Sequence, residues 1–242
     1  ANLFAGENLT VTGDIASAAP AAPQNVNLLS GFLSGTGATL LDGDIISPAG
    51  SLTVEASGGV TPNGAVDVSE FRLDFGQWIQ LGTLPAFSAD DFSLNSYDTA
   101  FIRATGGTGG PADPYVIVDV YGLQGVGWGD FFTASFALGA DIDASGTAGW
   151  NTGLSGAAGW RPIGALGSIE DFTSAVVPYF EGTFDGAGFT VSGLTIREPG
   201  LEARNVTLDP MVGMFGGMES AQISDLTLTG VDFSTAPVAF GG

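Results

Sequence analysis

Apolar residues in this chain recur at every second position in short runs, and each run stops at Gly, Asp, Asn or Pro. Leu9 and Val11 alternate with Thr10 and Thr12, Leu52 and Val54 flank Thr53, and Val66 and Val68 precede Phe71, Leu73 and Phe75. The pattern returns at Phe189 and Val191, Leu194 and Ile196, Val206 and Leu208, and Leu226 and Leu228. Successive side chains of a strand point to opposite faces, so a period of two buries one face and wets the other. A helix needs apolar residues at i, i+3, i+4 and i+7 free of glycine, and few such stretches exist among 242 residues of which 39 are Gly. Runs of three to five residues closed by turn formers predict many short strands joined by tight turns. The fold class is all-β.

Internal similarity sharpens this expectation. Thr12-Gly13-Asp14-Ile15 returns as Asp42-Gly43-Asp44-Ile45, thirty positions later (45 − 15 = 30). Asn8-Leu9-Thr10-Val11 returns as Ser51-Leu52-Thr53-Val54. Val191-Ser192-Gly193-Leu194-Thr195-Ile196 returns as Ile223-Ser224-Asp225-Leu226-Thr227-Leu228, thirty-two positions later (223 − 191 = 32). Periods of about 20–50 residues point to a solenoid, a propeller or an array. Propeller blades use four longer strands, so short strands favour a β-solenoid, with Leu, Val, Ile and Phe inward and Thr and Ser outward. Gly and Asp then make the corners, where sharp turns and close stacking suit a residue without Cβ.

Composition narrows what such a chain can do. It has no His, Cys or Lys; its basic residues are Arg72, Arg103, Arg161, Arg197 and Arg204, against 26 Asp+Glu, for a net charge of −21. Nucleic-acid binding is excluded as a main role, because a phosphate backbone needs a basic footprint. Ser-His-Asp chemistry, thiol nucleophiles, the common transition-metal sites, Schiff bases and P-loops all lack their residues. A 44% apolar share separates the chain from a disordered acidic polymer. No run of about 18 apolar residues exists, so no membrane insertion is expected. Beginning at Ala1, with methionine only at 211, 214 and 218, the chain reads as a processed product or a fragment. An acidic, lysine-free surface also suits a saline setting, where salt screens dense carboxylates.

Three regions are expected: N-terminal solenoid coils over 1–76, an aromatic-rich irregular segment packed on the solenoid over 77–136, and C-terminal coils over 137–242. The middle region concentrates Trp78, Phe87, Phe92, Phe101, Trp128, Phe131, Phe132 and Phe136, with Pro85, Pro111, Pro114 and the stretch Gly106-Gly107-Thr108-Gly109-Gly110. Core packing accounts for these rings first; a sugar-stacking groove is the sharper alternative.

The motifs carry a family resemblance. Phe180-Glu181-Gly182-Thr183-Phe184-Asp185-Gly186-Ala187-Gly188, continuing to Val191, Leu194 and Ile196, resembles the F-x-G-x-F-D-G-x-G pattern of large bacterial exoproteins of the filamentous-haemagglutinin type. Val212-Gly213-Met214-Phe215-Gly216 followed by Ile223–Leu228 is similar to their short GLUG-type repeat. Asp113-Pro114-Tyr115-Val116-Ile117 with Leu123-Gln124, and Phe136–Ser145 with Trp150, Trp160, Pro162, Ile163 and Gly164, resemble further elements in the same order, over about residues 70–235. The resemblance implies a right-handed parallel β-helix, secretion, and an adhesive or fibrous role at the bacterial surface. It implies no catalytic residues.

Candidate chemistry is confined to carboxylates. Asp141 and Asp143 are two apart and so share one face of a strand, as do Asp42 and Asp44, while Asp90 and Asp91 are adjacent. A pair of this kind could serve acid–base catalysis on a polysaccharide, but Asp at strand ends is first of all corner chemistry. Calcium is the candidate ion, with Asp141 and Asp143 as its first ligands, although no EF-hand or nonapeptide calcium repeat is present; no other cofactor is expected. The sequons Asn8-Leu9-Thr10 and Asn205-Val206-Thr207 carry little weight in a bacterial exoprotein. An irregular Thr spacing argues against ice or mineral binding. The reading is therefore a non-enzymatic secreted protein, extracellular or on the cell surface, whose ends self-associate head to tail into fibres and whose outer partner is a host or environmental surface or glycan. The alternative is a carbohydrate-active or carbohydrate-binding β-helix.

Overall fold

The computed structural model describes residues 1–19, 22–31, 35–95, 99–153, 156–157, 159–164, 179–198 and 213–235. The first part of the chain forms β1 (Asn2–Ala5), β2 (Leu9–Val11), β3 (Ile15–Ala16), β4 (Val26–Ser30), β5 (Thr39–Leu41), β6 (Ile45–Pro62), β7 (Val66–Leu81), β8 (Phe87–Leu94) and β9 (Ala100–Ala104). After them come β10 (Tyr115–Ile117), the short helix α1 (Val120–Gln124), β11 (Ser135–Leu138), β12 (Ile142–Asp143), β13 (Thr152–Gly153) and β14 (Gly156–Ala157). The last part holds β15 (Thr183–Asp185), β16 (Thr190–Ser192), β17 (Thr195–Glu198), β18 (Gln222–Ser224), β19 (Thr227–Thr229) and β20 (Asp232–Thr235). The protein is all-β, and every described strand pair except the antiparallel β13–β14 is parallel.

Parallel partners are separated by whole passes of the chain. Ile15 pairs with Ile45, Ile45 with Val66, and Val66 with Phe87. A second ladder runs Leu28–Val54–Leu73–Leu94, and a third Leu41–Pro62 beside Val60–Trp78–Phe101. In the last part β10, β11, β15 and β18 form one sheet, β12, β16 and β19 another, and β17 with β20 a third. Each pass lays its apolar positions on those of the pass before. Two ring pairs make this visible: Phe71 lies on its ladder partner Phe92 at 5.2 Å and 10°, and Trp78 on Phe101 at 6.2 Å and 7°. Strands spaced at about 4.8 Å bring register partners to that separation.

The thirty-residue repeat is the ladder register itself. Ile15 sits beside Ile45, and the corner glycines Gly13, Gly43 and Gly64 stack in a column. A Cβ on Gly43 would lie 2.2 Å from the Gly13 carbonyl oxygen, and one on Gly64 would lie 2.1 Å from that of Gly43. Gly43 and Gly64 must lack side chains because each touches the preceding pass through main chain, whereas a Cβ on Gly13 would meet nothing within 4 Å.

The other two repeats are not register partners. Leu9 pairs with Thr39 and Leu52 with Val26, while Val191 pairs with Leu228 and Ile223 with Phe184. They repeat a strand-and-corner pattern without sharing a position in the stack. Strands also run longer than the predicted three to five residues: β6 has 18 and β7 has 16. Register shifts interrupt the β6–β7 pairing between Ser47 and Ser51, Val54 and Glu55, and Ala56 and Val60. Irregularities of this kind bend a strand where a turn would otherwise end it. The runs at Leu9–Val11, Leu52–Val54 and Val66–Phe75 fall within strands; Val206 and Leu208 lie outside the described residues.

The aromatic stretch is regular in its first half. Strands cover Gln77–Leu81, Phe87–Leu94 and Ala100–Ala104, and between Thr105 and Ala134 only β10, in its parallel pairing with β11, keeps the pattern, beside α1 and the 3-10 turn Gly129–Phe131. Adjacent Asp90 and Asp91 hide the alternation of β8, yet Ala89, Phe92 and Leu94 still point inward. Trp78, Phe92, Phe101, Trp128 and Phe136 are buried.

Candidate functional site

Corner carboxylates and amides are the most repeated polar element, and most of them hold main chain. Asp14 accepts the Asp44 N–H at 2.9 Å, and Asp44 accepts the Ala65 N–H at 2.7 Å. Asn8 takes the Ala38 N–H and Asn25 the Ser51 N–H. Asp42 accepts from the Asn63 amide at 2.6 Å, Asp185 from the Ala187 N–H, and Asp91 from the Thr152 N–H. Side-chain oxygens here satisfy donors that the turning backbone leaves without ladder partners.

Asp141 and Asp143 obey the same rule. They flank buried Ile142, and both are exposed on one side of β12. Asp141 accepts the Thr190 N–H at 2.8 Å across the β12–β16 step, and Asp143 accepts the Ser145 N–H at 2.9 Å. The Ser145 N–H, followed by the Ser145 side chain, holds the Asp143 carboxyl below the usual carboxylate range. Among the described residues no group of three or more Asp or Glu is arranged to hold a metal ion.

The arginines are spread through the fold. Arg103, only 5% exposed, donates to Asp119 at 2.6 Å, to Gln80 at 2.8 Å and to the Pro85 carbonyl at 2.6 Å, with Phe87 under its guanidinium. Asp119 also caps α1 through the Gly122 N–H, so one carboxylate ties the helix to β9. Arg161 donates to the Leu94 carbonyl and lies over Trp128; Arg197 donates to the Ala148 carbonyl; exposed Arg72 pairs loosely with Glu70 and Asp74. Arg204 lies outside the described residues. Tyr121 packs on Phe87, Phe92 and Trp150, and its hydroxyl exchanges hydrogen bonds with the Ala89 main chain. Burial pushes this phenol up, and Asp119 and Asp90 add to the effect.

Two surface features stand apart from these internal contacts. One is a groove of about 440 Å³ along Val60, Asn63, Gln77, Ile79, Leu81 and Thr83, whose lining holds no charged residue. The other is a set of strands that, among the described residues, pair on one side only. β18, β19 and β20 each pair on one side only, as do β1, β2 and β3. On the last described pass Ile223 is 37%, Leu228 38% and Phe233 52% exposed, although their ladder partners Phe184, Val191 and Ile196 are buried. Along these three ladders the earlier partner is buried and the last described one is partly exposed. Leu228 and Ile223 belong to motifs visible in the sequence; Phe233 stands in a run of two apolar residues too short to single out.

No family model matches the chain, and no solved structure matches it. It is similar to halomucin of Haloquadratum walsbyi, with 28% identity over 127 residues; these are 52% of this chain and 1% of that protein. The matched stretch therefore spans about half of this chain and about a hundredth of the length of that relative. Among the described residues no helix is long and apolar enough to cross a membrane.

Proposed function

We propose that this protein is a non-enzymatic, secreted structural or adhesive protein: a right-handed parallel β-helix, extracellular or on the cell surface, whose ends stack head to tail into fibres. Parallel pairing of passes 21 to 30 residues apart along the Ile15–Ile45–Val66–Phe87 ladder supports the solenoid reading. The resemblance to filamentous-haemagglutinin-type exoproteins and the partial likeness to halomucin support the surface location. The observation that carries the fibre reading is the partly exposed apolar set Ile223, Leu228 and Phe233, on strands that pair on one side only among the described residues. Such an edge offers main-chain hydrogen bonds and a dry face to a further strand layer.

The test is negative-stain electron microscopy and sedimentation across a salt series. Chains of −21 repel one another, so association should grow as salt shortens the screening length. Filaments that lengthen with concentration are expected; strict monomers at high concentration and high salt sink the proposal. The uncharged groove is what favours the second reading, a carbohydrate-binding β-helix. Binding on a glycan array, or polysaccharide turnover abolished by Asp141→Asn, would reverse the order of the two.

A further inference from the structure

We propose that Asn8 is a site of N-linked glycosylation. The acceptor chemistry needs an accessible Asn side-chain amide with a Ser or Thr hydroxyl two residues on. Seven of the chain's asparagines lie in described segments, and only Asn8 is followed at the second position by such a hydroxyl, that of Thr10. The structure adds what the motif alone does not. Asn8 and Thr10 are both exposed and lie on the same side of the chain at the start of β2, with half-buried Leu9 turned the other way between them. The Asn8 Oδ1 is fixed by the Ala38 N–H at 3.0 Å, which orients the amide while its Nδ2, the atom that would carry the sugar, has no partner among the described residues.

Four of the other six described asparagines are occupied at that atom, and the remaining two, Asn2 and Asn25, have no Ser or Thr two residues on. Nδ2 of Asn27 donates to Asn2, that of Asn63 to Asp42, that of Asn95 to Asp74 and that of Asn151 to the Gly159 carbonyl. A glycan on any of these would crowd a nitrogen that already holds a bond, whereas on Asn8 it meets none among the described residues. The reaction joins Asn8 Nδ2 to the anomeric carbon of a lipid-phosphate-linked glycan. The carbon–oxygen bond to the donor phosphate breaks, the leaving phosphate takes that electron pair, and the amide proton passes to the transferase base. An exposed corner tolerates the bulk that results.

The test is peptide mapping of the chain isolated from the cells that produce it. Cleavage before Asp14 releases residues 1–13, which hold Asn2 as an internal control beside Asn8. The expected result is a glycan located to Asn8 by fragmentation, lost completely in Thr10→Ala and retained in Thr10→Ser. A wholly unmodified peptide overturns the proposal, as does a glycan carried by Asn2 or by the Thr10 hydroxyl. The conservative Thr10→Ser arm separates loss of the acceptor hydroxyl from any failure of the variant to fold.

Discussion

Replacing Gly43 and Gly13 separately by alanine tests the stacked corner directly. Both glycines occupy the same corner motif, and neither has a positive φ, so backbone strain does not distinguish them. A Cβ at Gly43 would sit 2.2 Å from the Gly13 carbonyl oxygen, 2.4 Å from its carbon and 3.0 Å from the Asp14 nitrogen. Ordinary contact begins near 3.4 Å, so the two passes must part by about 1 Å (3.4 − 2.2) at a point where only main chain can move. Overpacking of this kind costs about 1–3 kcal/mol. The same movement strains the Asp42 and Gly43 N–H bonds to the Val11 carbonyl and the Asp44 N–H bond to Asp14, each worth about 1 kcal/mol. Alanine returns about 0.4–1 kcal/mol by restricting the unfolded chain. The net expectation for Gly43→Ala is a loss of about 2–4 kcal/mol, or roughly 5–15 °C in Tm for a chain of this size. Gly13 has nothing within 4 Å of a built Cβ, so Gly13→Ala should be neutral or slightly stabilising. Urea unfolding followed by circular dichroism, with thermal melts, measures both. Equal stability of the two variants would refute the stacked-corner reasoning.

Three further measurements bear on the side-chain contacts. Arg103→Met should destabilise by about 3 kcal/mol, because Asp119, Gln80 and the Pro85 carbonyl lose a buried donor; the same unfolding curves read it, and an unchanged midpoint would show that water replaces the guanidinium. Asp143 has a folded pKa below its unfolded value, so its contribution is present above the unfolded pKa and fades as pH falls through the folded one; Asp143→Asn should therefore flatten the acid limb of a stability profile, and a profile identical to that of the unsubstituted chain would count against the Ser145 bond. In the same melts chelation should move Tm little, whereas a drop of tens of degrees would reveal structural calcium at Asp141 and Asp143.

Local structure was legible in the sequence wherever one pass decides it. The runs at Leu9–Val11 and Val66–Phe75 are strands because alternation needs no knowledge of neighbours. The Gly13/Gly43 corner could be aligned by eye because both passes keep the same corner residues in contact. Register was otherwise hidden. Ladder offsets range from 18 residues for Val60–Trp78 (78 − 60, through β6–β7) to 49 for Ile142–Val191 (191 − 142), and that range is set by the excursion between strands, which leaves no periodic trace. For the same reason the roles of Asp141 and Arg103 could not be read. Their partners Thr190, Gln80 and Asp119 are 49, 23 and 16 positions away and meet them only once the passes are stacked.

The corner bonds have a direction. In Asn8 to Ala38, Asp14 to Asp44, Asn25 to Ser51, Asp44 to Ala65 and Asp141 to Thr190 the acceptor precedes the donor in the chain, and the order is reversed where Ser47 accepts the Gln24 N–H. A polypeptide made from its N-terminus thus exposes each of those five acceptors before the amide that will use it exists, so a completed pass can act as a template for the pass still being synthesised. The arrangement also makes length a cheap variable. A duplicated segment brings its own acceptor and needs only the next segment's amide, so tandem copying can extend such a chain without redesigning either neighbour.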